Sequence, residues 1–243
     1  MVSSIDSLRE ALEQSRVVAF LGGAGVSTES GIPDFRSEGS AAEALRRFGY
    51  PPEVLLSHSF FKEHTDIFYD YYKSVLLLEA NPNPAHYALA RLEARGKLNA
   101  VVTQNIDNLH QRAGSKRVYP VHGNVEWNRC MACNKFFGGD YIRKSPGVPR
   151  CDACGGLVKP EVVLYGEALD QQVWRGAMAA VESADTLIVG GTSLSVYPAA
   201  SLLAYFTGKT LVLINKTPTP YDERADIILR MPIGEVLGKA VPE

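Results

Sequence analysis

The sequence predicts an α/β fold: a Rossmann-like, mostly parallel sheet with helices on both faces, and beside it a small domain made of a helical insertion and a cysteine ribbon. Three observations carry this expectation. Continuous apolar runs of strand length, such as Val17–Leu21, Thr186–Val189 and Thr210–Ile214, alternate with helix-length segments. Such runs suit parallel strands covered on both faces. Glycine-containing loops follow directly on two of the runs, at Gly22-Gly23-Ala24-Gly25 and Gly190-Gly191-Thr192-Ser193. Two stretches, 37–80 and 124–160, break the alternation, and the second holds all four cysteines.

The elements follow in order. Ser4 can cap a helix over 4–15, whose Ile5, Leu8 and Leu12 fall on one face. Val17–Leu21 is the first strand, and the glycine loop comes next. Residues 37–80 carry no strand-like run and read as loop plus aromatic-rich helices. Asn83 caps a helix that has Pro84 at its first position and Gly96 just beyond its end. That helix feeds the strand Ala100–Thr103. Helical stretches over 170–183 and 198–207 alternate with strands 186–189, 210–214 and 225–229. The main domain therefore takes residues 1–36, 81–123 and 166–243. The helical module takes 37–80, and the cysteine module 124–165.

Composition narrows the function classes. The chain has 243 residues, 46% of them hydrophobic and 21% charged, with a net charge of −2. Such a chain buries a sizeable core, and it is neither disordered as a whole nor strongly basic. No apolar run approaches membrane-spanning length. The first residues lack a basic segment followed by an apolar one, which gives the expectation of a cytoplasmic location. No heptad or exposed apolar stripe stands out, so the sequence leaves the oligomeric state open, with a monomer favoured.

Cys130 and Cys133, then Cys151 and Cys154, form two C-x-x-C pairs separated by 17 residues. This spacing belongs to zinc ribbons, in which four thiolates close a tetrahedral site and leave no position for substrate. The expected metal is one structural zinc. The ribbon's Arg129, Lys135, Arg143, Lys144 and Arg150 outnumber Glu126, Asp140 and Asp152, a mild excess that reads as a solvated face. Strong nucleic-acid binding is not expected.

Gly23-Ala24-Gly25 stands where a dinucleotide fold places its phosphate loop, and the helix after such a loop would add its positive end. Thr28 occupies the usual place of a third glycine. A tight strand-to-helix turn explains the same residues. No acidic residue follows at the ribose-binding distance, but Asn215 ends a later strand and offers an amide instead. His122 closes the run Val118–Val121 and sits where a histidine can act as a base near neutral pH. Asp107 either caps the next helix or faces the cleft. His110, three residues on, reads as structural.

Taken together, these residues resemble a known family. Gly23-Ala24-Gly25-Val26-Ser27-Thr28-Glu29-Ser30-Gly31-Ile32-Pro33-Asp34-Phe35-Arg36 is similar to the first signature of the sirtuins, NAD-dependent protein-lysine deacylases. Thr103-Gln104-Asn105-Ile106-Asp107-Asn108-Leu109-His110 resembles their second. His122-Gly123-Asn124, the cysteine pairs, Gly191-Thr192-Ser193 and Asn215 follow in family order, so the resemblance spans residues 15 to 230 and is of the bacterial or archaeal catalytic-core type.

The resemblance implies a catalytic base in His122, acting on the ribose hydroxyls of NAD, and a water- and ribose-ordering amide in Asn105. It implies a nicotinamide pocket of Phe35, Ile106 and Asp107. Ala24, Thr28, Arg36, Gln104, Thr192, Ser193 and Asn215 would hold phosphates and riboses, and the chain near Ile233 would meet the adenine. Val163-Leu164-Tyr165-Gly166-Glu167, with Ser195, Val196 and Tyr197 opposite, would bind an acyl-lysine peptide as an added strand. The products would be free lysine, nicotinamide and O-acetyl-ADP-ribose. Mono-ADP-ribosyl transfer from the same pocket is the alternative; a dehydrogenase and a nucleic-acid-binding ribbon are more distant ones.

Members that take malonyl or succinyl groups carry Tyr-x-x-Arg on the small-domain helix. Here Tyr69 would match the tyrosine, and Tyr72 stands in place of the arginine. A phenol cannot supply a bidentate cation, so acetyl or other uncharged acyl groups are expected. A cofactor loop within 37–57, bounded by Gly39 and Pro51-Pro52, is the last expectation.

Overall fold

The protein is described by a computed structural model that covers residues 4–33 and 38–243. Helix α1 (Ile5–Gln14) leads into β1 (Val18–Gly22). Ser4 caps α1 by accepting from the Ser7 amide at 3.2 Å, and Leu8 and Leu12 are buried on its inner face. Two single 3-10 turns, Ala24–Val26 and Thr28–Ser30, follow β1. The helix expected after the glycine loop is therefore absent, and with it any macrodipole there; a three-residue turn aligns too few peptides.

Four helices come next: α2 (Glu38–Phe48), α3 (Pro52–Leu55), α4 (His58–Glu63) and α5 (Thr65–Tyr71), the last running into a π-helical turn at Tyr72–Leu76. Gly39 lies inside α2 rather than at the edge of a loop. Helix α6 (Pro84–Ala94) and β2 (Leu98–Thr103) form as the punctuation predicts. After them come α7 (Leu109–Arg112), β3 (Val118–Pro120), β4 (Gly123–Cys130), β5 (Phe136–Phe137), α8 (Gly139–Lys144) and β6 (Val158–Val162). The chain ends with α9 (Gln171–Glu182), β7 (Thr186–Gly190), β8 (Thr210–Ile214), β9 (Ile227–Leu229) and α10 (Ile233–Ala240). Residues 199–205 wind as a 3-10 helix, and the last strand is shorter than the expected 225–229 because Asp226 spends its side chain on the Leu211 amide.

Among the described residues the main sheet has six parallel strands in the order β3-β2-β1-β7-β8-β9. The chain builds outward from β1 to one side, then returns to build from β7 on the other. The carboxyl ends of β1 and β7 thus meet at a topological switch point, the place where open α/β sheets bind ligands. Strands β1 and β7 are buried at every position, as their unbroken apolar runs require. The smaller antiparallel sheet runs β5-β4-β6.

The core divides into three clusters. Two lie on the opposite faces of the large sheet. The third is shared between segments far apart in sequence: Phe61, Phe68, Tyr69 and Tyr72 of the helical insertion pack with Val125, Phe137, Ile142 and Val158 of the ribbon. Among the described residues no helix is long and apolar enough to cross a membrane.

One buried pair sets a pH dependence. His86 replaces the usual acid of a capping box, its Nδ1 accepting from the Asn83 amide at 3.2 Å. Its ring centroid lies 4.6 Å from that of His110, which is fully enclosed beneath α6. Burial pushes His86 down to about 4, and burial followed by the charge of His86 holds His110 well below its usual value. Both are neutral when folded and take up protons when unfolded, so stability falls as pH drops below ~6.5. His86 alone should remove about 2 kcal/mol by pH 5. Urea midpoints at pH 7.5 and 5.0 measure the decline, and His110→Leu should make it shallower. An unchanged slope in that variant would place the cause elsewhere.

Candidate active site

The glycine loop is first a packing device. The Gly23 and Gly25 amides donate to the carbonyls of Gly190 (3.2 Å) and Gly191 (2.8 Å), locking the ends of β1 and β7 together. A Cβ on Gly25 would stand 2.7 Å from the Gly191 Cα, and one on Gly191 would stand 2.4 Å from the Val26 nitrogen. Gly191 also has φ +60°. Only glycine at both places lets the two loops approach this closely.

Beside this junction a cleft of ≈ 330 Å³ opens between the large sheet and the third core cluster. Ala24, Gln104, Asn105, Ile106, Asp107, His122, Val163, Leu164, Tyr165, Gly166 and Val196 line it, and all of them were expected at the site. Thr192 stands behind the wall, its hydroxyl accepting from Gln104 Nε2 at 3.1 Å. Ser193 and Ser195 bond each other at 2.6 Å, while Thr28 donates to the Gly25 carbonyl and Asn215 to Thr217. None of these five is among the residues lining the cleft. Ile233, at the start of α10, packs in the core and is 3% exposed. Phe35 and Arg36 lie outside the described residues.

His122 sits between β3 and β4. Gly123 beside it has φ +82°, and a Cβ there would overlap the Glu161 carbonyl at 1.8 Å, so glycine lets β4 cross β6 here. The His122 Nδ1 lies 3.1 Å from the Gln104 carbonyl oxygen. A carbonyl only accepts, so the proton belongs on Nδ1 and the basic lone pair on Nε2.

Sequence reasoning missed Ser27. This residue is 1% exposed, and its hydroxyl donates to Asp107 Oδ2 at 2.6 Å. The Ser27 hydroxyl oxygen in turn accepts from Asn105 Nδ2 at 2.9 Å. The chain of donors fixes the Asn105 amide with its nitrogen toward Ser27 and its carbonyl oxygen on the other side. Asp107 also accepts from the Leu109 amide at 2.9 Å. Asp107 thus lines the cleft and also satisfies the first amide of α7, whose N-cap is Asn108. Burial raises its pKa above the ordinary carboxylate value, against these hydrogen bonds. The spacing of Ser27 after the glycines was the available signal; its neighbour Thr28 drew the attention instead.

Tyr69 and Tyr72 are both fully buried in the third cluster; the Tyr69 hydroxyl donates to the Val158 carbonyl, and Tyr72 stacks on Phe68. Neither lines the cleft. Leu76, at the end of the π turn, does. Among the described lining residues the charged ones are Glu53, Asp107 and Glu167, with no lysine or arginine.

Of the residues expected to bind peptide, 163–166 lie beyond β6 rather than in it. Their backbone is partly engaged: Val163 donates to the His122 carbonyl, Tyr165 donates to Leu56, and the Tyr165 carbonyl accepts from His58.

The four cysteine sulfurs lie within 4.8 Å of one another, with Cys130 3.4 Å from Cys154 and Cys133 3.6 Å from Cys151. A zinc tetrahedron with ~2.3 Å bonds has edges of about 3.8 Å, so the donor set fits that ion. The ribbon's positive excess is largely paired: Arg143 with Glu126 and Asp140, Lys135 with Asp152, Arg129 with Glu161.

Comparison with known proteins adds three kinds of finding. The Sir2 family model matches residues 23–198. The chain is 53% identical to an NAD-dependent protein deacetylase of Clostridium acetobutylicum, over 98% of each chain. It is 56% identical to one of Clostridium tetani, over 98% of this chain and 97% of the relative. Among solved structures it resembles a Sir2 homologue–NAD complex, with a TM-score of 0.89 and 39% identity over 99% of this chain and 93% of that one. It also resembles Sir2 bound to acetylated peptide, with a TM-score of 0.85 and 38% identity over 98% of this chain and 97% of that one.

Proposed function

The chain belongs to the Sir2 family, and from that premise we infer that it is an NAD-dependent protein-lysine deacetylase. It transfers the acetyl group of an acetyl-lysine peptide to ADP-ribose and releases nicotinamide and O-acetyl-ADP-ribose. The observation that carries this is the arrangement of His122, Asn105, Ser27 and Asp107 around one cleft at the switch point of the sheet.

NAD, as co-substrate, supplies an electrophilic ribose carbon and a leaving nicotinamide. The protein's share is positioning, which can lower such a barrier by roughly 7–11 kcal/mol. In our reading Asp107 and Ile106 take the carboxamide end, with the Asp107 carboxylate oriented by Ser27. Asn105 turns its carbonyl oxygen to a ribose hydroxyl or water. His122, with its Nδ1 proton held by the Gln104 carbonyl, accepts a proton at Nε2 from a ribose hydroxyl, which then attacks the acyl carbon. Gln104, Thr192, Ser193, Asn215, Ala24, Thr28, Phe35 and Arg36 are the proposed remaining cofactor contacts. Residues 163–166 and 195–196 are the proposed walls of the peptide site. A single zinc held by Cys130, Cys133, Cys151 and Cys154 is structural, because four thiolates leave it no open position. We propose a cytoplasmic monomer.

The test is direct. Purified protein, NAD and an acetyl-lysine peptide should yield deacetylated peptide and nicotinamide one for one. Nicotinamide without deacetylation would favour ADP-ribosyl transfer.

The acyl preference is supported by the cleft, whose charged lining residues among those described are acidic. Among the described residues a succinyl carboxylate would find no cation to pair with. We expect kcat/KM at least ~10-fold lower for succinyl- than for acetyl-peptide. Equal turnover of the two would defeat this reading.

A further inference from the structure

We propose that Glu167 is a positioning residue for the peptide substrate, acting by clamping the 163–166 segment to the helical insertion and to the ribbon. The inference rests on the deacetylase reading above and deepens it.

Glu167 lines the cleft, yet its carboxylate is turned away into a set of three donors from three different parts of the chain. Oε2 accepts from the Leu164 amide at 3.0 Å and from Lys159 Nζ at 3.0 Å. Oε1 lies 2.8 Å from His58 Nδ1. The three donors belong to the segment itself, to β6 and to α4. The Glu167 amide donates back to the Leu164 carbonyl at 2.9 Å, closing the turn from both ends. The glutamate side chain is 19% exposed, as is that of Lys159. Charge-assisted bonds in such a setting are stronger and more directional than their exposed counterparts. The donors hold the Glu167 carboxyl below its ordinary value against the effect of burial, so it is a carboxylate at neutral pH.

What this clamp holds is the peptide-facing backbone. Between its ends, Val163 donates to the carbonyl of His122 at 3.0 Å, and Tyr165 makes a two-way bridge with Leu56 and His58. The segment is thereby fixed relative to both the base and the α3–α4 wall. Gly166, at φ +90°, is the joint between Tyr165 and Glu167. A strand-adding peptide needs this edge in one conformation before it binds, since ordering it on binding would cost affinity. The Glu167 carboxylate supplies that order without itself reaching the reacting atoms.

The experiment compares wild type, Glu167→Ala and Glu167→Gln in steady-state assays with acetyl-lysine peptide and NAD, each substrate varied in turn. Wild-type activity tests the deacetylase reading separately; without it that reading fails, whatever the variants do. Given wild-type activity, Glu167→Ala should raise the peptide KM by about tenfold or more while the NAD KM stays within about twofold. Glu167→Gln keeps an acceptor for the Leu164 amide and should recover a large part of the loss. Equal rises in both KM values, or an unchanged peptide KM, would overturn the proposal. Should Glu167→Ala fail to fold, His58→Ala removes one donor and leaves the carboxylate, and the same peptide-specific rise is expected; its absence counts equally against the clamp.

Discussion

Replacing His122 with alanine is expected to lower peptide-dependent nicotinamide release and deacetylation together by about 10²–10⁴-fold, the usual contribution of a positioned general base. The thermal midpoint should move little. His122 is only partly buried at the edge of the cleft, and the backbone contacts of its neighbours hold β3 and β4 without the ring. The geometry makes a finer statement. With Nδ1 committed to the Gln104 carbonyl, only Nε2 serves as base. A His122→Gln variant preserves size and a polar tip but has no titrating nitrogen, so it should be as inactive as the alanine variant. Variants that keep more than a tenth of wild-type kcat, measured by peptide mass and nicotinamide together, would remove His122 from the base role.

The second large effect is expected from the metal. Stripping zinc, or changing Cys151 to serine, should abolish activity even though the four sulfurs are not the groups we assign to the reaction. Metal binding at a structural thiolate site supplies about 10–16 kcal/mol in small zinc peptides, so its loss unfastens whatever it organises. Here that is the third core cluster, in which Cys130 and Cys151 pack beside Val158, Val162 and Leu164. Val162, Leu164, Leu56 and Leu76 from the same cluster wall the cleft. Zinc content by atomic absorption should track activity, and re-addition should restore both. Full activity in zinc-free protein would show that the ribbon does not support the cleft.

Much of the fold was legible because its signals are local. Ser4, Asn83 with Pro84, and Gly96 punctuate helices by hydrogen-bond arithmetic that needs no tertiary partner. The buried runs of β1, β2, β7 and β8 announce a sheet covered on both faces. The cysteine spacing was equally plain. The failures came where distant segments decide. Whether the glycine loop leads into a helix depends on Gly191, which follows the neighbouring strand β7 about 165 residues later in the chain and packs against the turn. Tyr69 and Tyr72, matched by resemblance to a motif of the small-domain helix, are buried in the third cluster, and it is Leu76 at the end of the π turn that lines the cleft. Ser27 escaped notice because a small hydroxyl among serines and threonines has no signature of its own. Its importance arises from Asn105 and Asp107, about 80 residues away, folding onto it.

The shared third cluster bears on how the protein comes off the ribosome. Its helical half is complete at Leu77, but Val162 and Leu164, which cover that half, are made roughly 85 residues later (162 − 77). At about 5–20 residues per second the delay is several seconds. Until then the ribbon's cover over Phe61, Phe68, Tyr69 and Tyr72 is incomplete, and the full zinc ligand set waits for Cys154. The nascent chain therefore carries a partly uncovered aromatic surface while only three of the six strands of the large sheet have been made. A holding chaperone, rather than a folding catalyst, is the assistance such a schedule calls for.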